Sequence, residues 1–246
     1  MTKNRFQLLL KCSLSLFLGC IIPVHASADP SSVAGEVRDW RQAHEQEIID
    51  GFAELLKIPN VATDTVNIRR NADYISGLLR ARNFDTRLLE VEGSPPAVFA
   101  ERNTPGAEKT LMIYVHYDGQ PVNAADWASD PWIPVMRDGP VEGGGQVVPM
   151  QAPFDPEWRI FGRSAGDDKA PIIALLAALD ALEESGTSLS VNLKLFLEGE
   201  DEAGSPHLHE MLSKHKALLG ADMWLFCDGP MHQSRRWLLS YGVRGS

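Results

Sequence analysis

The run Leu111-Met112-Ile113-Tyr114-Val115 constrains this chain most: it is apolar throughout and stops at His116-Tyr117-Asp118. A strand with one wet face would alternate, whereas a continuous apolar run fits a strand covered on both sides. Two later runs repeat the pattern. Val191 to Leu197 ends in Glu198-Gly199-Glu200-Asp201-Glu202, and Met223 to Cys227 ends in Asp228. Pro171 to Leu182, almost all Ala, Leu and Ile, reads as a helix that must be buried, and a sheet is its natural cover. Pro206 to Leu219 reads as another helix. Strands alternating with helices imply βαβ units, hence an α/β fold with a doubly wound, mainly parallel sheet and helices on both faces.

Upstream, Val37, Trp40, His44, Ile48, Phe52 and Leu55 recur at near-helical spacing, predicting a helix over Ser31 to Lys57 that stops before Pro59. A second helix is expected over Asn67 to Arg82, with Ile68, Ala72, Ile75, Leu78 and Leu79 in one stripe. Thr86 to Val91 and Ala97 to Ala100 are strand candidates around the turn Gly93-Ser94-Pro95-Pro96. Gly119 to Trp158 is a long polar connection rich in Gly, Pro and Trp, and connections of that length usually serve a function.

Residues 1–28 have the layout of a secretory signal peptide. Lys3, Arg5 and Lys11 precede an uncharged, mostly apolar stretch from Cys12 to Val24, and Val24-His25-Ala26 and Ala26-Ser27-Ala28 offer cleavage sites. The apolar stretch, 13 residues, falls short of the roughly 20 a membrane span needs, which disfavours an uncleaved anchor. Lipid attachment at Cys20 is a weaker reading, because bulky residues precede it. The mature chain, 29–246, is expected to be exported to the periplasm or secreted. Without the three leader cations the net charge moves from −10 to −13, which gives no general attraction for nucleic acid or for an anionic membrane. Only Cys227 then remains of the cysteines, so a disulfide framework is excluded.

The chemistry lies in where the three strands end. Parallel strands bring their carboxyl ends to one edge, where ligands of open α/β sheets bind. His116 and Asp118, the acidic cluster 200–202 and Asp228 then converge, and Asp167 in Gly162-Arg163-Ser164-Ala165-Gly166-Asp167-Asp168-Lys169 adds a carboxylate at the start of the buried helix. Imidazole and carboxylate suit zinc, and cobalt and manganese take similar ligands. Two such cations about 3.5–4 Å apart polarise a carbonyl and acidify a bridging water, whose proton a free carboxylate must accept. Each piece has a plainer reading: a satisfied polar histidine, a solvated acidic face, an N-cap pair at Asp167-Asp168, a turn at Asp228-Gly229-Pro230. Their joint placement is harder to dismiss.

These segments, His116 to Pro121, Gly162 to Lys169, Glu198 to Ser205 and Cys227-Asp228, resemble the zinc metallopeptidase family of carnosinase, carboxypeptidase G and succinyl-diaminopimelate desuccinylase, in the same order and spacing. Trp127, Asp130, Pro131, Trp132 and Arg137-Asp138-Gly139 look most like the carnosinase-type dipeptidases. The resemblance covers roughly residues 40 to 246. It implies a zinc-exopeptidase-like catalytic domain with two divalent metal ions, acting on a small peptide or N-acyl amino acid. His116 and Asp228 would bind the first metal, Asp167 would bridge both across a cis peptide bond, and Glu202 would bind the second. Asp118 would hold the His116 imidazole, and Asp201 would be the general base.

Asp201 is a departure, because the family has Glu there; aspartate is one methylene shorter. Glu200 is a substitute in principle, but alternation along an extended segment points it away from Asp201. Ala170 replaces a usual Gly. The family's lid or dimerisation domain, which makes homodimers, and its last metal-binding His lie beyond Tyr241-Gly242-Val243-Arg244-Gly245-Ser246. The chain is therefore expected to be C-terminally incomplete, with weak second-metal binding and little activity by itself. Two other readings compete. Gly162 to Gly166 fits a G-x-S-x-G nucleophile elbow with Ser164, completed by Asp201 or Asp228 and His232, although the adjacent carboxylates would oppose an oxyanion. The chain could also be an exported binding domain that has lost activity.

Overall fold

The structure is a computed structural model that describes residues 30–230 together with 232, 234 and 238–240. The expected leader, 1–28, and the segment 241–246 lie outside the described residues. Among the described residues no helix is long and apolar enough to cross a membrane.

The chain opens with helices α1 (Pro30–Ala43) and α2 (Glu45–Leu56). One helix was expected here. It is interrupted at His44 (φ −111°, ψ 16°), whose Nδ1 lies 2.9 Å from the Trp40 carbonyl; the backbone bonds His44 N to Trp40 O and Ile48 N to His44 O carry the axis across the break. Helix α3 (Thr65–Arg80) starts earlier than its apolar stripe, because Asp64 caps it by accepting from Asn67 N. Strands β1 (Asp85–Leu89), β2 (Ala97–Arg102) and β3 (Thr110–His116) follow.

The polar connection after β3 is not irregular. It forms most of a small antiparallel sheet in the order β5-β4-β6, from β4 (Val135–Arg137), β5 (Val147–Val148) and β6 (Arg159–Phe161). Then come α4 (Lys169–Glu184), β7 (Asn192–Glu198), α5 (Leu208–Lys214) and β8 (Met223–Phe226). The last helix is shorter than expected: His215 leaves helical geometry (φ −107°, ψ 15°).

The main sheet has the order β1-β2-β7-β3-β8. Strands β7, β3 and β8 are mutually parallel neighbours, while β2 is antiparallel to both β1 and β7. Four of the five strands thus share one direction, and β2 is the exception. Along β3, Ile113 and Val115 face one core with α2, α3 and α4, whereas Met112 and Tyr114 face a second core with Met211 of α5. That double burial explains why the strand carries no alternation. The parallel register places His116 opposite Glu198 and Tyr114 opposite Phe226, so β3, β7 and β8 end together.

At the start of α4, Lys169 is fully buried and donates through Nζ to the carbonyls of Leu55 (2.9 Å) and Ile58 (3.0 Å). These carbonyls lie at and just past the end of α2, where the regular helical bonding stops. Burial pushes the Lys169 ammonium down to about 7.

Leu195 sits in the middle of β7 and is 1% exposed. Leu195→Ala should lower unfolding stability by about 2–5 kcal/mol, read from urea denaturation; a loss below about 1 kcal/mol would contradict its place in a closed core.

Candidate metal centre

His116 closes β3, and the loop behind it is tightly held. Tyr117 N donates to Glu198 O at 2.8 Å and Gly119 N to Asn60 O at 2.9 Å. The Asn60 side-chain amide donates to Tyr117 O (2.6 Å) and to Ser164 Oγ (2.9 Å). Asp118 is fully buried. Its carboxylate accepts from the backbone N–H groups of Asp201 (3.1 Å) and Glu202 (3.0 Å), and Oδ1 lies 3.3 Å from His116 Nδ1, an ionic contact without hydrogen-bond geometry. One side chain thereby fastens the end of β3 to the turn that follows β7. Gly199 at that turn is required, since a Cβ there would stand 2.5 Å from the Tyr117 hydroxyl. Asp167 arrives on the loop before α4 through a cis peptide bond to Asp168, and Asp228 lies two residues past β8.

In front of this scaffold, His116, Asp167 and Asp228 offer ligand atoms that all lie within 4.8 Å of one another. His116 Nε2 is 2.9 Å from Asp167 Oδ1 and 3.9 Å from Asp201 Oδ2. Burial alone would push the imidazole's pKa down; Asp118, and then Asp201 and Asp168, outweigh it and raise it to about 10. Burial raises Asp168 to about 7; His116 pulls it back, while Asp228 and Asp167 add to the rise. Asp228 is raised as well, first by burial and then, against the pull of His116, by Asp201 and Asp167. Crowded carboxylates around one imidazole are a focus of negative potential short of a cation, and their donor set of one nitrogen with carboxylate oxygens fits a divalent ion. The residues present therefore fit a metal.

The expected residues do not all meet. His116, Asp167 and Asp228 form the trio, Asp118 stands behind it and Asp201 beside it. Glu202 is outside the trio; its carboxylate accepts from Gln120 Nε2 at 2.6 Å. Glu200 turns away, although the segment is not the extended one expected but leads into a 3-10 turn; its two carboxylate oxygens lie 2.9 Å from His207 N and Nδ1. Ser164 is 4% exposed, at φ 61°, and its hydroxyl is occupied by Asn60 and the Asp118 carbonyl. That is a structural knot behind the His116, Asp167 and Asp228 cluster, and among the described residues no imidazole partners the hydroxyl. A cavity of about 450 Å³ lies elsewhere, between α1, α2 and α4. Its lining includes Val37, Phe52 and Ile173 but no carboxylate, so it is not where the chemistry sits.

Sequence reasoning passed over Asn60 and Tyr114. The Tyr114 hydroxyl lies within hydrogen-bond distance of both Glu198 Oε2 (2.7 Å) and Asp201 Oδ1 (3.0 Å), and its one proton is shared between them. The available signal was a hydroxyl inside an otherwise apolar buried strand, two residues before His116, since buried tyrosines need a partner. Asn60 gave no local signal.

Residues 112–234, half of the chain, match the model of peptidase family M20/M25/M40. The chain belongs to this family. The M20/M25/M40 relatives include the Cys-Gly metallodipeptidase of Schizosaccharomyces pombe, 27% identical over 214 residues that span 81% of this chain and 41% of that protein. The human Beta-Ala-His dipeptidase is 30% identical over 197 residues, 78% of this chain and 34% of that protein. Among solved structures, an M20 family metallo-carboxypeptidase from Sulfolobus solfataricus superposes with a TM-score of 0.62 at 29% identity, covering 77% of this chain and 39% of that one. The chain thus spans between about a third and two fifths of the length of these relatives.

Two outcomes follow for zinc titrated calorimetrically into the protein. Because His116 is protonated below about 10 in the metal-free chain, ligation at pH 7.5 should release a proton, visible as a binding heat that depends on the buffer's ionisation enthalpy. Asp118→Asn should weaken binding about 10- to 100-fold; unchanged affinity would remove Asp118 from the site.

Proposed function

We propose that the protein carrying this chain is a metal-dependent peptidase whose first substrates are unblocked dipeptides, with N-acyl amino acids as the second class. The observation that carries this reading is the His116, Asp167 and Asp228 trio, with ligand atoms within 4.8 Å at the joined ends of parallel strands. The names of two relatives, a Cys-Gly and a Beta-Ala-His dipeptidase, support the substrate class. Two cations are proposed, zinc before cobalt or manganese, with His116 and Asp228 on the first, Asp167 between them and Glu202 on the second. The Gln120 amide engages Oε2 of Glu202, which leaves the other carboxylate oxygen for a cation. When bound, such ions supply Lewis acidity toward the scissile carbonyl and the attacking water.

This chain's own residues do the rest. Asp118 keeps Nδ1 of His116 engaged so that Nε2 faces the ligand cluster. Asp201 accepts the proton of the attacking water and returns it to the leaving amine. Residues 1–28 support export to the periplasm or the medium as a cleaved signal peptide, with lipid attachment at Cys20 the less favoured route. For the whole protein we propose a homodimer that needs neither nucleic acid nor membrane.

The test is metal analysis and a panel of dipeptides and N-acyl amino acids on the whole protein. Chelation should abolish turnover and zinc restore it, and His116→Ala should lose both metal and activity. Asp201→Ala should keep the metal and lose about 10²- to 10⁴-fold in kcat. Retention of metal-dependent activity by both variants would reject the site, and labelling of Ser164 by a fluorophosphonate would favour the serine mechanism instead.

A further inference from the structure

Asp201 stands on a short 3-10 turn, Asp201–Ala203, with its backbone N–H held by Asp118 and its side chain about one-third exposed. An exposed aspartate has several rotamers of similar energy, and only some would direct an oxygen toward the His116 imidazole. Here Oδ1 is held at 3.0 Å by the Tyr114 hydroxyl, and Oδ2 faces His116 Nε2 at 3.9 Å. The tyrosine is packed in place: Tyr114 is 6% exposed on β3, its ring lies against Phe196 at 6.2 Å and Phe226 at 5.1 Å, and its oxygen also lies 2.7 Å from Glu198 Oε2, so its one proton is shared between the two carboxylates.

We propose that Tyr114 is a positioning residue that aims the Asp201 carboxylate at the metal cluster, and so makes the shorter acid serviceable where the family uses glutamate. Aspartate has one fewer rotatable bond than glutamate and a shorter reach, so a single fixed donor is enough to select its orientation. Misplacement on the scale of 1 Å costs about a hundredfold in rate. A tyrosine that merely filled the second core would tolerate loss of its hydroxyl, because its packing would be kept. The inference rests on the reading of Asp201 as proton acceptor.

Tyr114→Phe keeps the ring and removes only the donor, so the fold should survive. Crystal structures of the whole parent protein and of this variant should show Asp201 Oδ2 displaced by about 1 Å or more, with His116, Asp167 and Asp228 unmoved and metal content unchanged. In turnover, kcat should fall about 10- to 100-fold at constant KM. In an Asp201→Glu background, where the longer acid reaches without help, the same change should cost less than about threefold. Asp201 in its original place, or an equal loss of kcat in both backgrounds, would overturn the proposal. If the parent turned over no dipeptide or N-acyl amino acid, the functional reading would fall while the crystal structures still decided the role of Tyr114.

Discussion

The site depends on one buried carboxylate. Asp118 has no exposure to solvent, and a charge in that position costs several kcal/mol unless it is well satisfied. It is satisfied by the backbone N–H groups of Asp201 and Glu202 and by the flank of the His116 ring. The first two belong to the turn after β7 and the third to the end of β3, so the condition for burying Asp118 is also the condition for bringing those two segments together. A carboxylate can only accept, so its charge beside Nδ1 at 3.3 Å favours the proton on that nitrogen, while Nε2 faces Asp167.

The scaffold behind the ligands and the ligands themselves differ in kind. Asn60 and Lys169 are fully buried and Ser164 nearly so, and they bond chiefly to backbone carbonyls or to one another. Such contacts fix where loops run without depending on surface side-chain rotamers. In front of them the Asp167 side chain is 70% exposed, and Glu202 rests on Gln120. A cation approaching from the open side meets carboxylates that can still adjust, mounted on loops that cannot. That division suits a site which must be loaded after the chain has folded.

Much of this was legible in the sequence for physical reasons. The apolar runs that became β3, β7 and α4 lack alternation because both their surroundings are dry, and the residues that end the strands are polar because they leave the sheet at one edge. Strands β4, β5 and β6 were not legible, since runs of two or three residues carry no period. The break at His44 depends on a side chain bonded to its own helix, which local pattern does not announce. Glu202 was read as a ligand from its place in a motif; that its carboxylate accepts from Gln120 is a contact between residues 82 apart that local pattern does not announce. Asn60, far upstream in an ordinary turn, acts only through contacts 57 and 104 residues distant.

The same logic explains why a shortened acid can persist at position 201. In a glutamate the extra methylene supplies reach at the expense of an additional torsion to be ordered. Aspartate gives up the reach and the torsion together, which leaves its carboxylate governed by whatever donor the adjacent strand presents. Strand β3 presents one, because its even-numbered residues 112 and 114 and His116 point to the same face. The period that brings the His116 imidazole to the cluster therefore also brings the Tyr114 hydroxyl within 3.0 Å of Asp201, so alternate side chains of one strand reach both.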